Sequence, residues 1–131
     1  MPDIRYPPEP EDGMTRVEWE RELLNPWRQC EKARLAAERK TTICERCGQR
    51  PFIDLDESVI PRCDMGGFSL EQRRIAFGSP NLTLACMRCN REEAHDREGA
   101  WDRACERYGR ERVVAWYVSL GLKAPRADWM T

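Results

Sequence analysis

The sequence predicts an α+β chain, with helices at both ends and a small centre of short strands held together by bound metal. Three observations carry that prediction. Helix signals cluster in residues 15–40 and again beyond residue 98, apolar runs punctuated by Gly and Pro fill the stretch between, and two C-x-x-C pairs bracket those runs. At 131 residues the chain has the length of one ordinary domain and can bury a core without a second lobe.

The expected organisation is an arm over 1–14, helices over 15–40, a metal-binding centre over 41–97, and helices with a tail over 98–131. The first dozen residues carry four prolines and no periodic apolar pattern, which makes them an extended arm; Ile4 and Tyr6 are its docking side chains, toward the domain or toward a partner. Thr15 followed by Glu18 has the order of a capping box and starts a short helix. Asn25 before Pro26 caps a second helix, running to about Lys40, whose apolar residues form no clean stripe. In the centre, PFIDL, SVIP and LTLAC read as strands and turns. Beyond Cys89 the chain turns helical, breaks at Gly109, and ends in a helix with Val113, Trp116, Tyr117 and Leu120 on one face and Gly121 at its C-terminus.

Composition narrows the function classes. The 22 Lys and Arg against 23 Asp and Glu leave a net charge of −1, which argues against a chain that grips nucleic acid by bulk charge. Locally the balance differs. Residues 28–50 hold seven cations against three carboxylates, and Arg62, Arg73, Arg74, Arg88 and Arg91 follow, with Arg46, Arg62, Arg88 and Arg91 the candidates for gripping phosphate. An ordinary solvated surface of mixed charge is the competing reading of the same residues. No run reaches the roughly 18 apolar residues of a membrane helix, and the N-terminus lacks the order of a secretory signal, so the expected location is the cytoplasm.

Seven cysteines, an odd number with two pairs at C-x-x-C spacing, point to metal and away from disulfides. Cys44 and Cys47 are brought together by a tight turn that Gly48 relieves, and Cys86 and Cys89 supply two further thiolates. Four thiolates fill a tetrahedral shell and leave no open position. The expected ion is therefore a structural zinc. Cys30, Cys63 and Cys105 are left over as expected buried free thiols.

Between and beyond the pairs stand Val59, Ile60, Pro61 and Arg62, then Gly66 and Gly67, then Asn81 and Leu82 before the second C-x-x-C. As an ordered set over residues 43–95 these resemble the HNH nuclease family in its zinc-stapled form, of phage and mobile-element type. The resemblance implies a ββα-metal fold: a hairpin against a helix, with a divalent cation, magnesium or manganese, between them. It also implies a strand His that deprotonates water, a cation that stabilises the leaving oxyanion, and an Asn, here Asn81, that orients the loop.

The catalytic positions depart from the family. Aligned on Pro61 and Arg62 they fall on Asp56, Glu57 or Ser58, and the place after the last zinc cysteine holds Asn90. The one histidine, His95, stands five residues past Asn90, where ligand pairs on a helix prefer three or four. Asp56 and Glu57 read either as oxygen ligands and base, with Asn90 or His95 contributing, or as a solvated strand end. A carboxylate is a poor base near neutral pH, its ordinary pKa lying near 4. Two functions follow. One is a divalent-metal-dependent HNH-type DNA endonuclease using Asp56, Glu57, Asn81 and His95, in the host-cell cytosol if phage-encoded. The other is a zinc-stapled scaffold without chemistry that binds DNA or a protein complex, with the N-terminal arm as a contact.

Overall fold

A computed structural model describes residues 2–92, 96–123 and 127–130. The architecture is α+β: among the described residues, helices accompany one two-stranded antiparallel sheet, and the helix Asn25–Arg39 packs on both of its strands. Helix α1 (Arg16–Trp19) starts at the expected capping box, in which Thr15 Oγ1 accepts from the Glu18 N–H and Glu18 Oε1 accepts from the Thr15 N–H.

The two N-terminal helices expected from sequence are one uninterrupted rod. A π-helical turn over Glu20–Leu24 joins α1 to α2 (Asn25–Arg39), and Asn25 is helical, its N–H bonding back to the Glu20 carbonyl instead of capping. The cause is Pro26, which has no N–H and whose ring crowds the carbonyl four residues earlier; a wider turn just before it absorbs both defects without breaking the rod. Lys40, at φ 52° and ψ 47°, ends α2 in the left-handed region.

The buried face of α2 is Arg28, Glu31 and Leu35, at helical spacing. No apolar stripe exists because two of its three buried positions are charged. Arg28 Nη2 reaches the Leu55 carbonyl at 3.0 Å and the Glu57 carboxylate at 2.7 Å, while Leu35 packs on Leu55, Leu82 and Leu84. Cys30, on a different face, is exposed, as is Cys63; Cys105 is half-buried, so the leftover thiols are not the buried set expected.

Strands β1 (Asp54–Glu57) and β2 (Leu82–Ala85) pair in the register Asp54↔Ala85 to Glu57↔Leu82. Both outer edges are blunted by side chains, which removes the template an open edge offers to another chain. On β1, Arg28 takes the Leu55 carbonyl and Asp54 Oδ1 the Leu55 N–H; on β2, Glu45 bonds both backbone groups of Leu84 and Arg39 takes the Leu82 carbonyl.

The SVIP run is no strand. After β1 the chain bends at Val59 and Ile60, enters a 3₁₀ turn (Arg62–Met65), and then forms a helix, α3 (Leu70–Ala76), that strand-and-turn reasoning missed. Its signal was present. Ser69 and Gln72 make a second capping box just before an apolar pair, Ile75 and Ala76.

Helices α4 (Met87–Glu92), α5 (Arg97–Tyr108) and α6 (Arg110–Val118) complete the fold, α5 capped by Asp96 and separated from α6 by Gly109 at φ 91°. Val113, Trp116, Tyr117 and Leu120 are all buried, as the sequence predicts, against Trp19, Phe77 and Trp101 in the main core. Trp116 Nε1 donates to the Ile75 carbonyl at 2.7 Å, which ties α6 to α3. The N-terminal arm docks on the domain itself. Arg5 and Ser79 exchange two hydrogen bonds, the Pro8 carbonyl accepts from Trp19 Nε1, and the Arg74 guanidinium stacks over Tyr6 at 5.5 Å. No helix among the described residues is long and apolar enough to cross a membrane.

This packing predicts that Trp116→Ala destabilises the chain by about 4 kcal/mol, whereas Val118→Ala, on the exposed face of the same helix, costs less than about 0.5 kcal/mol. Urea unfolding of the two variants measures both values, and equal losses would contradict the helical face.

Candidate metal centre

The centre is built by bringing the ends of the sheet together. Ile43 bridges to Pro51, the Cys44 N–H donates to the Arg50 carbonyl at 2.7 Å, and Gly48, at φ 66°, donates to the Cys44 carbonyl, closing the first knuckle. The second knuckle is the first turn of α4: Cys86 follows directly on β2, Asn90 N–H bonds its carbonyl, and the Cys89 N–H points at its sulfur at 3.5 Å. All four sulfurs then lie within 4.8 Å of one another, with Cys47 Sγ 3.9 Å from Cys86 Sγ. A tetrahedral thiolate shell requires sulfurs about 3.8 Å apart, so the spacing fits a metal ion.

Charge gives the same answer. Backbone N–H donation, from Gln49 first, lowers the Cys47 thiol to about 6, and the Cys89 N–H lowers Cys86. Burial, with the crowding of the other three sulfurs, pushes Cys89 up to about 12. Four thiolates cannot share this space without a cation to compensate them, a charge that a metal ion held here would supply. Among the described residues no other group of three or more His, Cys, Asp or Glu side chains converges in this way.

Glu45, inside the first C-x-x-C, is the residue that spacing could not single out. Its N–H and Oε1 clamp the two backbone groups of Leu84, two residues before Cys86, and its carboxylate is held by Arg39 of α2 and Arg107 of α5, the latter at 2.7 Å. Register between the knuckles is thereby fixed from two helices. Arg46, a candidate for gripping phosphate, instead donates to the Cys89 carbonyl at 3.0 Å and lies 3.7 Å from Asp96. Arg62 stacks over Phe77 and faces Glu20, Arg88 faces Glu92, and Arg91 contacts Met87 Sδ.

The residues expected at a hydrolytic site sit apart. Asp56 and Glu57 are buried, at 8% and 6% exposure, which excludes the solvated strand end as their setting. Glu57 lies 2.7 Å from Arg28, and burial pushes its carboxyl up despite that neighbour. Ser58 donates to Thr83 Oγ1 at 2.8 Å. Asn90 is exposed on α4 and lines a cavity of about 270 Å³; the carboxylate on that wall belongs to Asp54, which sequence reasoning did not select, and neither Asp56 nor Glu57 lines it. His95 lies outside the described residues.

Asn81 is fully buried and uses its whole amide. Oδ1 accepts from the N–H groups of Val59 and Ile60 at 2.8 and 2.7 Å, and Nδ2 donates to the carbonyls of Ile60 and Ala76, both at 2.9 Å. It fixes the loop after β1 to the end of α3. No family profile, curated protein or solved structure matches the chain.

Asn81→Ala would orphan four buried backbone groups, and the expected cost is about 3 kcal/mol or more, read as a fall in Tm of roughly 10 °C. Asn81→Asp keeps the acceptor and loses both donors, so it should also be destabilised. A wild-type transition in either variant would show that the loop is held by other contacts.

Proposed function

We propose that the chain is a zinc-stapled, HNH-like scaffold that works by binding and not by hydrolysis. The observation that carries this reading is the setting of residues 56–58, where the resemblance would place catalytic groups. All three are buried, Glu57 pairs with an arginine of α2, and Ser58 bonds across to Thr83. A general base must reach a water in a site that substrate can enter, and groups tied into the helix-to-sheet contact are badly placed for that. Zinc is the metal that a closed set of four thiolates suits best, and such an ion has no open position for chemistry. A protein partner is favoured over DNA because Arg46, Arg62 and Arg88 each face a carboxylate of the same chain.

The second reading is the divalent-metal-dependent DNA endonuclease, with magnesium or manganese. It is favoured by one observation: Asp54 and Asn90 line the same cavity beside α4. A plasmid-nicking assay with magnesium, manganese and zinc separates the two. The scaffold reading predicts no nicking by the parent chain, and none after Asp56→His, because one imidazole does not rebuild a site whose neighbours serve the fold. Metal-dependent nicking that Asp54→Ala, in the cavity shared with Asn90, abolishes without loss of the fold would overturn it.

A further inference from the structure

Beside the second knuckle lies an open groove of about 710 Å³ that no contact described so far explains. Pro51, Ile53 and Met87 form its walls, and Arg50, Arg88 and Arg91 stand around them. Ile53 and Met87 are 53% and 54% exposed, and Ile43, at 45%, belongs to the same bridge as Pro51. Side chains of this size sit mostly in cores, so a cluster of them in one concave place marks a binding surface more strongly than scattered exposure does. Met adds adaptability, since its unbranched thioether repacks against different shapes.

We infer that this groove docks a segment of a protein partner that carries an apolar anchor flanked by Asp or Glu. The inference deepens the scaffold reading by naming its partner class and surface. Charge complementarity selects the flanks. Three guanidinium groups meet one carboxylate in the lining, Glu92, and that one is engaged by Arg88 at 3.3 Å. No carboxylate among the described residues pairs with Arg50 or Arg91. An occupant that buries Ile53 and Met87 must bring acidic groups to these cations, or leave charges at the rim of an apolar contact without a counterpart. The apolar walls select the class, because a phosphate backbone gains nothing from covering Ile, Pro and Met, whereas a Leu or Phe side chain does. Strand addition is not the mode. The carbonyl of Ile53, just before β1, and that of Leu55 on its outer edge are taken by Lys32 and Arg28, so binding runs through side chains.

The groove also touches the metal centre. Cys86 is part of its lining, so an occupant would lie against the second knuckle.

The test is selection of a displayed library of random 12-residue peptides on the full chain, followed by affinity measurement with a selected peptide. The expected peptides hold one or two large apolar residues among Asp and Glu. Their binding should weaken at least ten-fold in Ile53→Asp/Met87→Asp and in Arg50→Glu/Arg91→Glu, whose thermal transitions should match the parent because all four side chains are exposed. A photo-reactive leucine placed at the anchor should crosslink to Ile53 or Met87 in the unaltered chain, a readout that needs no variant. Basic or charge-free selected peptides, equal binding to both double variants, crosslinks elsewhere, or displacement of the peptide from this groove by a DNA duplex would each overturn the proposal. Nicking activity would overturn the scaffold reading and leave these peptide results standing; failure of the peptides alone would remove this surface and leave that reading intact.

Discussion

The structure depends on holding Cys44 and Cys47 against Cys86 and Cys89 across a sheet too small to hold them itself. Two strands of four residues give a ladder that is marginal at best in water. Yet this ladder sets where Cys86 emerges, directly after the Asp54↔Ala85 pair, and so whether the second knuckle meets the first. The Glu45 clamp on Leu84 supplies part of what the ladder lacks, and a metal ion held by the four cysteines would supply the rest. An ion held there would close the loop of chain between the pairs, and its binding energy would be folding energy for the segment it closes.

Charged side chains do much of the positioning that apolar packing does elsewhere. Arg28, Glu31, Glu57 and Arg73 are buried, and Glu45 joins α2, α5 and the first knuckle through Arg39 and Arg107. Buried ion pairs are weak contributors to net stability, because desolvation offsets most of the attraction, but losing one partner leaves a charge stranded. Their contribution here is register. Arg28 can satisfy the Leu55 carbonyl and Glu57 together in only one placement of α2 on β1. The apolar core lies mainly away from the sheet, among α3, α5, α6 and the docked arm.

This division explains what was legible in the sequence. The C-x-x-C pairs, the Thr15 capping box, the break at Gly109 and the buried face of α6 obey local spacing rules, and the structure has all of them where those rules put them. The face of α2 was not legible, since a search for apolar stripes passes over Arg28 and Glu31. Asn25 has good capping chemistry, but a π-helical turn that accommodates Pro26 let the rod run through, and Asn25 N–H bonds back to Glu20 instead. α3 was hidden by the Gly and Pro residues around it, although its capping box could have been read. In the candidate site, the cysteines follow from spacing alone; Glu45 and Asp54 do not, because their roles arise from contacts between segments far apart in the chain.

The four-cysteine centre is therefore the element on which the rest of the fold turns. Elemental analysis combined with X-ray absorption at the zinc edge, on the purified chain before and after chelation, tests it most directly. One zinc per chain, surrounded by four sulfurs at about 2.3 Å, with cooperative unfolding lost when the ion is withdrawn, is the predicted result. A metal-free chain with an undiminished thermal transition, or a shell containing nitrogen or oxygen ligands, would contradict it.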